Sequence, residues 1–179
     1  DCTGKVISPG FIDVHTHDDA AVLDQPEMLP KLSQGITTVI VGNCGISLVP
    51  MVTAQAAAPL SLLGQAQFRF ATLAAYADAV NAAVPAVNVA ALVGHTALRM
   101  RHMQRLDSAA STDEVAAMVA DLRGAMQSGA LGLSSGVFYR EAYGADQQEL
   151  SALATVAAQA GGVYATHIRD ELAGILDAM

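Results

Sequence analysis

Hydrophobic and polar positions along the chain follow two alternating patterns. Short runs that are almost wholly apolar and rich in β-branched residues, such as residues 36–42, predict strands that are buried on both faces. Between these runs, apolar residues recur at helical spacing and predict amphipathic helices. Capping signals mark helix starts at Thr72, Ser111 and Asp146. Strands and helices therefore alternate along the chain, which is typical of a parallel α/β fold.

Two regions fall outside that alternation. Residues 1–8 predict a turn at Thr3 and Gly4 and the end of a strand from an upstream unit. Residues 43 to about 69 contain Pro and Gly and predict a long irregular loop, a kind of segment that is often functional. The strands are predicted at 9–17, 36–42, 88–94, 131–136 and 163–167, and the helices at about 27–34, 72–84, 111–128, 146–160 and from 170 onwards.

Two architectures fit such a chain: a doubly wound sheet and a barrel. No G-x-G-x-x-G pattern follows the first predicted strand, which argues against a dinucleotide-binding doubly wound sheet. A (β/α)8 barrel takes about 250 residues, whereas this chain has 179 residues and ends inside a predicted helix. We therefore predict an α/β fold that is a partial (β/α)8 TIM-type barrel, with about five of the eight β/α units.

Composition and charge exclude several classes of partner. The formal net charge of −8 leaves no basic patch for neutralising phosphates, which argues against a nucleic-acid partner. No uninterrupted apolar run is long enough to span a membrane, so we predict no membrane span. Cys2 and Cys44 are too few for a disulfide framework, and they fit a protein of the reducing cytoplasm.

Residue types that bind metals occur at the predicted strand ends. His15 and His17 are two positions apart on the first strand, so they face the same side, with Asp13 behind them. The residues that end or follow the other four strands are Cys44, His95, Tyr139 and His167. All strands of a barrel end at one mouth, so these side chains are expected to converge there. Imidazole and thiolate ligands favour zinc or a similar transition metal over Mg²⁺ or Ca²⁺.

Each of these residues taken singly also fits a structural role, as Cys44 does for a small buried hydrophobe. Their shared position at one rim favours a metal site over coincidence. His102 lies elsewhere, in a polar stretch with Arg99, Arg101 and Arg105, and is predicted to be solvated.

Five segments resemble those of a known family. They are PGFIDVHTH (9–17), GITTVIVGNCGIS (35–47), LVGHTALR (92–99), GALGLSSGVFY (129–139) and YATHIRDE (164–171). Over nearly its whole length the sequence resembles the amidohydrolase superfamily and, within it, the D-aminoacylases (N-acyl-D-amino-acid deacylases). This resemblance implies a zinc-dependent hydrolase that cleaves the amide bond of N-acyl-D-amino acids to give a carboxylate and a free D-amino acid. The expected partner is therefore a small-molecule substrate.

The resemblance also implies roles for single residues. Cys44 and His167 would hold one tightly bound Zn²⁺, together with a sixth-strand histidine expected beyond this chain. His15 and His17 would contribute to a weaker or empty second metal position. Tyr139 would be catalytic, through a hydrogen bond to the scissile carbonyl. In a mechanism of this type a metal polarises the carbonyl, and a carboxylate acts as general base and then as general acid.

A domain organisation follows from the same resemblance. Residues 1–8 are expected to be the remnant of a flanking β-sandwich, and residues 9–179 the first part of the barrel. The general-base aspartate is expected beyond Met179, because Asp13 lies too deep on the first strand to replace it. The 179 residues alone are therefore expected to be inactive and poorly soluble, since an open sheet leaves edges and apolar surface unpaired.

Two other functions stay open. A cyclic amidase of dihydroorotase or hydantoinase type belongs to the same superfamily, but its relatives use a carboxylated lysine. Neither Lys5 nor Lys31 lies at a suitable strand end. A non-catalytic, degenerate metal-binding barrel is the other alternative, and the filled site positions argue against it.

Overall fold

The structure, a computed structural model, describes residues 1–64 and 68–178. The described strands are β1 (Phe11–Asp13), β2 (Ile36–Val41), β3 (Met51–Val52), β4 (Arg69–Phe70), β5 (Asn88–Gly94), β6 (Gly132–Gly136) and β7 (Val163–His167). The described α-helices are α1 (Ala21–Asp24), α2 (Leu29–Leu32), α3 (Leu73–Ala83), α4 (His95–His102), α5 (Thr112–Gln127), α6 (Arg140–Tyr143), α7 (Gln147–Gln159) and α8 (Ile175–Ala178), and Leu60–Leu63 form a 3₁₀ helix.

Five of these strands form one parallel sheet in the order β1-β2-β5-β6-β7. Every neighbouring pair in that order is parallel, so each strand lies beside the one that precedes it in the β/α alternation. The sheet curls into a half-barrel. The predicted α/β fold, a partial (β/α)8 barrel, is confirmed.

The three predicted helix starts are confirmed by their caps. Thr72 Oγ1 accepts the N–H of Ala75 at 3.3 Å at the start of α3. Ser111 and Glu114 form a complete capping box at the start of α5. Asp146 Oδ1 accepts a backbone N–H at 2.8 Å at the start of α7. These bonds satisfy N–H groups that the first turn of a helix leaves without partners.

The core lies between the sheet and the helices. Met118 and Leu122 of α5 pack with Leu153 of α7 and Leu133 of β6, and all four side chains are fully buried. Burial of apolar surface of this kind is the main favourable term in folding. No helix among the described residues is long and apolar enough to cross a membrane.

The segment after β2 differs most from its prediction. It is irregular, as expected, but residues 41–50 are all buried. Ser47 accepts the N–H of Gly94 at 2.9 Å, and Gly45 accepts that of Ala97 at 3.3 Å, so the loop is held against β5 and α4. Further on, β3 and β4 pair antiparallel. Residues 65–67 of the predicted loop lie outside the described residues.

Three predicted elements are shorter in the structure. The first strand was expected over residues 9–17 but covers Phe11–Asp13, and the helix expected at 27–34 covers Leu29–Leu32. The helix expected from Asp170 begins at Ile175. There the carboxylate of Asp170 instead accepts the backbone N–H groups of the next turn, which delays the helix.

The structure corrects the prediction that His102 is solvated. Arg99 is fully buried, and His102 is partly buried with Nε2 2.7 Å from Asp121. Arg101 is also paired with Asp121, at 3.0 Å, and keeps part of its side chain exposed. Arg105, which follows α4, is exposed. The burial of Arg99, Arg101 and His102 differs because α4 presents one face to the helix layer and the other to solvent.

Candidate metal centre

His15 and His17 lie just beyond the end of β1 and come together with Cys44, which follows β2. The Nε2 atom of His15 is 3.0 Å from the Cys44 sulfur. The two imidazole rings are 6.0 Å apart between centroids and lie edge to face at 81°. One donor atom from each residue can be chosen so that all three lie within 4.8 Å of one another.

An ion-pair cluster of Lys31 with Asp13 and Asp18 lies beside the histidine pair. Asp13 accepts the backbone N–H of His15 at 3.2 Å, and its other oxygen is 2.6 Å from the ammonium group of Lys31. Lys31 is also 2.9 Å from Asp18 and donates to Thr16 at 3.1 Å. The hydrogen bond from Lys31 is the main cause of the lowered pKa of Asp13. The segment that carries both histidines is therefore anchored on each side of them.

Cys44 is held in a tight turn at the mouth of the half-barrel. Its φ angle is +57°, in the left-handed region that non-glycine residues seldom adopt. The flanking Gly42 and Gly45 have φ angles of +78° and +74°. The Cys44 side chain is buried, with 6% of its surface exposed. The backbone of the GNCG segment, rather than its side chains alone, directs the sulfur toward the histidines.

Burial sets the protonation of the cluster. It lowers the pKa of His17, with a smaller contribution from His15, so the neutral imidazole that binds metals is favoured. It raises the pKa of the Cys44 thiol, opposed by a hydrogen bond with Tyr139. Within the described part of the chain, the Nδ1 atom of His17 is buried without a hydrogen-bond partner. A buried polar atom with no partner, beside a soft sulfur donor, fits a transition metal such as zinc.

Tyr139 and His167 lie beside this cluster. The Tyr139 hydroxyl interacts with the Cys44 thiol, and its ring meets that of His167 edge to face at 5.5 Å between centroids. His167 stacks on Phe138 at 5.2 Å, and its Nε2 is 3.2 Å from Glu171. Tyr139 thus contacts both Cys44 and His167. Among the described residues, the tight donor group holds Cys44 with the strand 1 pair and does not hold His167.

Glu171 was missed by the sequence reasoning. It follows His167 by four residues, and its Oε1 is 3.2 Å from the His167 Nε2. Burial is the largest cause of the raised pKa of Cys44 and of Tyr139, and the charge of Glu171 adds a smaller increase to both. The segment THIRDE therefore brings a carboxylate as well as a histidine to the mouth.

His95 does not join the others at the mouth. It is fully buried as the first residue of α4, and its Nε2 is 2.7 Å from Glu149 of α7. Burial lowers the pKa of His95, with Glu149 acting in the opposite direction. The expectation that every strand-end residue converges at one rim is therefore wrong for His95. A helix that starts directly after β5 turns its side chain into the helix layer.

Comparison with known proteins covers almost all of the chain. The model of the protein family described as the amidohydrolase family matches residues 1–178. The chain belongs to the amidohydrolase family. This amidohydrolase is 48% identical, over 96% of its length, to D-aminoacylase of Alcaligenes xylosoxydans xylosoxydans. It is 50% identical, over its full length, to N-acyl-D-aspartate deacylase of the same organism. It spans 36% of the length of each of these two relatives.

Solved structures have the same fold as this amidohydrolase. N-acyl-D-glutamate deacylase from Bordetella bronchiseptica, in complex with zinc and a phosphonate inhibitor, matches with a TM-score of 0.93 and 44% identity. That match covers 99% of this chain and 38% of the other. A D-aminoacylase with a binuclear metal centre matches with a TM-score of 0.93 and 49% identity, over 96% of this chain and 36% of that one. One of these two relatives is therefore a zinc complex, and the other has a binuclear metal centre.

Proposed function

We propose that this amidohydrolase hydrolyses the amide bond of N-acyl-D-amino acids and depends on zinc. The observation that carries the proposal is the group of His15, His17 and Cys44, whose donor atoms lie within 4.8 Å at the mouth of the half-barrel. The similarity of the chain to a D-aminoacylase and to an N-acyl-D-aspartate deacylase supports N-acyl-D-amino acids as the substrate class. The chain spans about a third of each relative, so the activity is proposed for the whole protein.

The residues that would hold zinc are Cys44, His15, His17 and His167. Zinc bound there supplies a Lewis acid for amide hydrolysis. His17 offers a neutral nitrogen, because burial disfavours its charged form. The donor group of Cys44, His15 and His17 supports one position, which differs from the pairing of Cys44 with His167 that the resemblance implies. His167, across Tyr139, supports a second position or an added ligand, and a D-aminoacylase relative is described with one-metal activation and second-metal attenuation.

Tyr139 is proposed to act on the substrate carbonyl. Burial is the main cause of its raised pKa, so its hydroxyl stays protonated at neutral pH and can donate a hydrogen bond. A donor fixed beside the scissile carbonyl stabilises the negative charge that develops on its oxygen. The contacts of Tyr139 with Cys44 and His167 support this position in the site.

The amidase class can be tested directly on the whole protein loaded with zinc. Hydrolysis of N-acetyl-D-methionine, N-acetyl-D-aspartate and N-acetyl-D-glutamate is expected, with the L-enantiomers as controls. Turnover of a hydantoin or of dihydroorotate instead would favour a cyclic amidase. Lys31 speaks against that alternative, because its ammonium group is paired with Asp13 and Asp18.

Replacing Cys44 tests the metal site. Cys44→Ser removes the sulfur donor while keeping side-chain size, and zinc content and deacylase activity are expected to fall at least about tenfold. The matched control is Cys2→Ser, because Cys2 is exposed and lies outside the donor group. Zinc is measured by elemental analysis after dialysis against a chelator. Full zinc content in Cys44→Ser would show that the ligand assignment is wrong.

A further inference from the structure

The turn that carries Cys44 has an unusual backbone conformation. Cys44 adopts a left-handed φ of +57°, a conformation that L side chains avoid unless the surroundings fix it. Contacts from outside the turn are therefore needed to hold this conformation.

Ser134 on β6 makes the contacts that do so. Its hydroxyl donates to the carbonyl of Gly42 and accepts the N–H of Gly45 at 2.9 Å. These two backbone groups bracket Asn43 and Cys44, so one side chain closes the turn on both sides. Ser134 is fully buried, so water does not compete for either bond.

One strand of the sheet separates the strand of Ser134 from the strand that leads into the Cys44 turn. β5 lies between β2 and β6 in the sheet, and Gly94 of β5 is the register partner of Ser134. A side chain at Gly94 would collide with the carbonyl of Gly45 and with Ser47. Likewise, a side chain at Gly136 would collide with the carbonyl of Cys44. The two glycines therefore clear the space in which the turn rests on β5 and β6.

We propose that Ser134 is a positioning residue for the Cys44 sulfur: its two hydrogen bonds fix the left-handed turn and so hold the thiolate in the metal-binding direction. This inference rests on the proposed function, because it concerns the same metal site. The two hydrogen bonds of the Ser134 hydroxyl go to backbone groups, not to a candidate metal donor. Hydrogen-bonded groups that orient a metal ligand commonly change metal affinity about 10–100-fold when removed.

The chain offers a matched control in the next residue. Ser135 is also fully buried on β6, but its hydroxyl faces β7, where it meets Tyr164 at 2.8 Å and Thr166 at 2.7 Å. Ser135→Ala therefore removes a buried hydroxyl of the same strand without touching the Cys44 turn. Any loss due only to a perturbed β6 would appear equally in both variants.

The test compares wild type, Ser134→Ala and Ser135→Ala as whole proteins. Ser134→Ala is expected to weaken the zinc dissociation constant about 10–100-fold in chelator competition, and Ser135→Ala less than about twofold. With cobalt in place of zinc, the thiolate-to-metal charge-transfer band is expected to weaken or shift in Ser134→Ala alone. Equal zinc affinity and an unchanged band in Ser134→Ala would overturn the inference.

A measurement on the metal-free wild type keeps the inference testable if Ser134→Ala fails to fold. The Gly45 amide proton is expected to exchange slowly with solvent, because Ser134 accepts it in a buried site. Fast exchange at Gly45 would overturn the inference. Failure of the proposed function is distinguishable, since it would appear as wild type that binds no zinc. That outcome would overturn both the proposed function and this inference. Tight zinc binding by the wild type, with the same zinc affinity in Ser134→Ala, would overturn only this inference.

Discussion

At the scale of single residues, Arg99 is a fully buried side chain that makes several hydrogen bonds in the helix layer. Its Nη1 is 2.6 Å from both oxygens of Glu149, and neither side chain is exposed. Its Nη2 donates to the carbonyls of Leu106 and Ser108 at 3.0 and 2.7 Å. Although burial opposes ionisation of Glu149, hydrogen bonds from His95 and Arg99 outweigh it and lower the Glu149 pKa to about 2. The pair therefore stays charged in the interior.

Breaking this pair is expected to destabilise the protein strongly. Arg99→Met leaves the Glu149 carboxylate buried with less charge compensation, which costs about 3–5 kcal/mol. The measurement is the free energy of unfolding in urea. The control is Arg105→Met, which removes an exposed arginine from its pair with Asp107 and should cost less than about 1 kcal/mol. Similar losses in the two variants would show that the buried pair contributes no more to the free energy of unfolding than the exposed pair does.

The Glu149 carboxylate also marks a limit of sequence reasoning. Asp146 was predicted to cap a helix, and its side chain accepts the backbone N–H of Glu149. The Glu149 side chain instead turns inward to Arg99 and His95. A residue pattern can report only partners that are near in sequence, and Arg99 is 50 positions away. The roles of Arg99, His95 and Glu149 were therefore beyond local patterns.

At the scale of elements, α5 is the longest described helix and packs against α7 and α4. Its start was predictable because a capping box is a local feature: Ser111 accepts the N–H of Glu114, and the Glu114 carboxylate accepts that of Ser111 at 2.8 Å. Strand positions were predictable for a similar reason, since buried strands need continuous apolar runs. The burial of the loop after β2 was not predictable, because it depends on glycines in β5 and β6 that lie near the loop only in the folded protein.

Removal of the cap is expected to destabilise α5 modestly. Ser111→Ala loses the side-chain half of the capping box, at a cost of about 1 kcal/mol. The effect is measured as a shift in the urea midpoint at unchanged denaturant sensitivity. Ser151→Ala on the exposed side of α7 is the control, and it should change stability by less than about 0.5 kcal/mol. A larger loss at Ser151 than at Ser111 would contradict the capping argument.

At the scale of the whole molecule, the half-barrel has two open edges, β1 and β7. Several large apolar side chains on these strands are exposed, among them Phe11, Ile12 and Val163. Unpaired strand edges with apolar side chains favour pairing with another chain. Strand order and parallel direction followed from the β/α alternation in the sequence. The exposure of these side chains agrees with the expectation that an open sheet leaves apolar surface unpaired, because the runs that encode β1 and β7 suit a closed barrel.

A polypeptide of residues 1–179 alone is therefore expected to self-associate. Sedimentation velocity at increasing concentration should show species larger than a monomer. The double variant Ile12→Lys, Val163→Lys places a charge on each open edge and should shift the distribution toward monomer. Leu62→Lys, at an exposed site of the 3₁₀ helix outside the parallel sheet, is the control and should change little. A monomeric parent polypeptide would contradict the expectation.

The covered position of Cys44 has a consequence for oxidative damage. Oxidants and alkylating reagents attack thiolates that they can reach, and burial both hides this sulfur and raises its pKa. Cys2, in contrast, is exposed. Air and peroxide should therefore modify Cys2 first and spare the candidate metal donor. The loop that orients the sulfur also covers it. The rate at which the donor is lost by oxidation would therefore be limited by how often the loop opens.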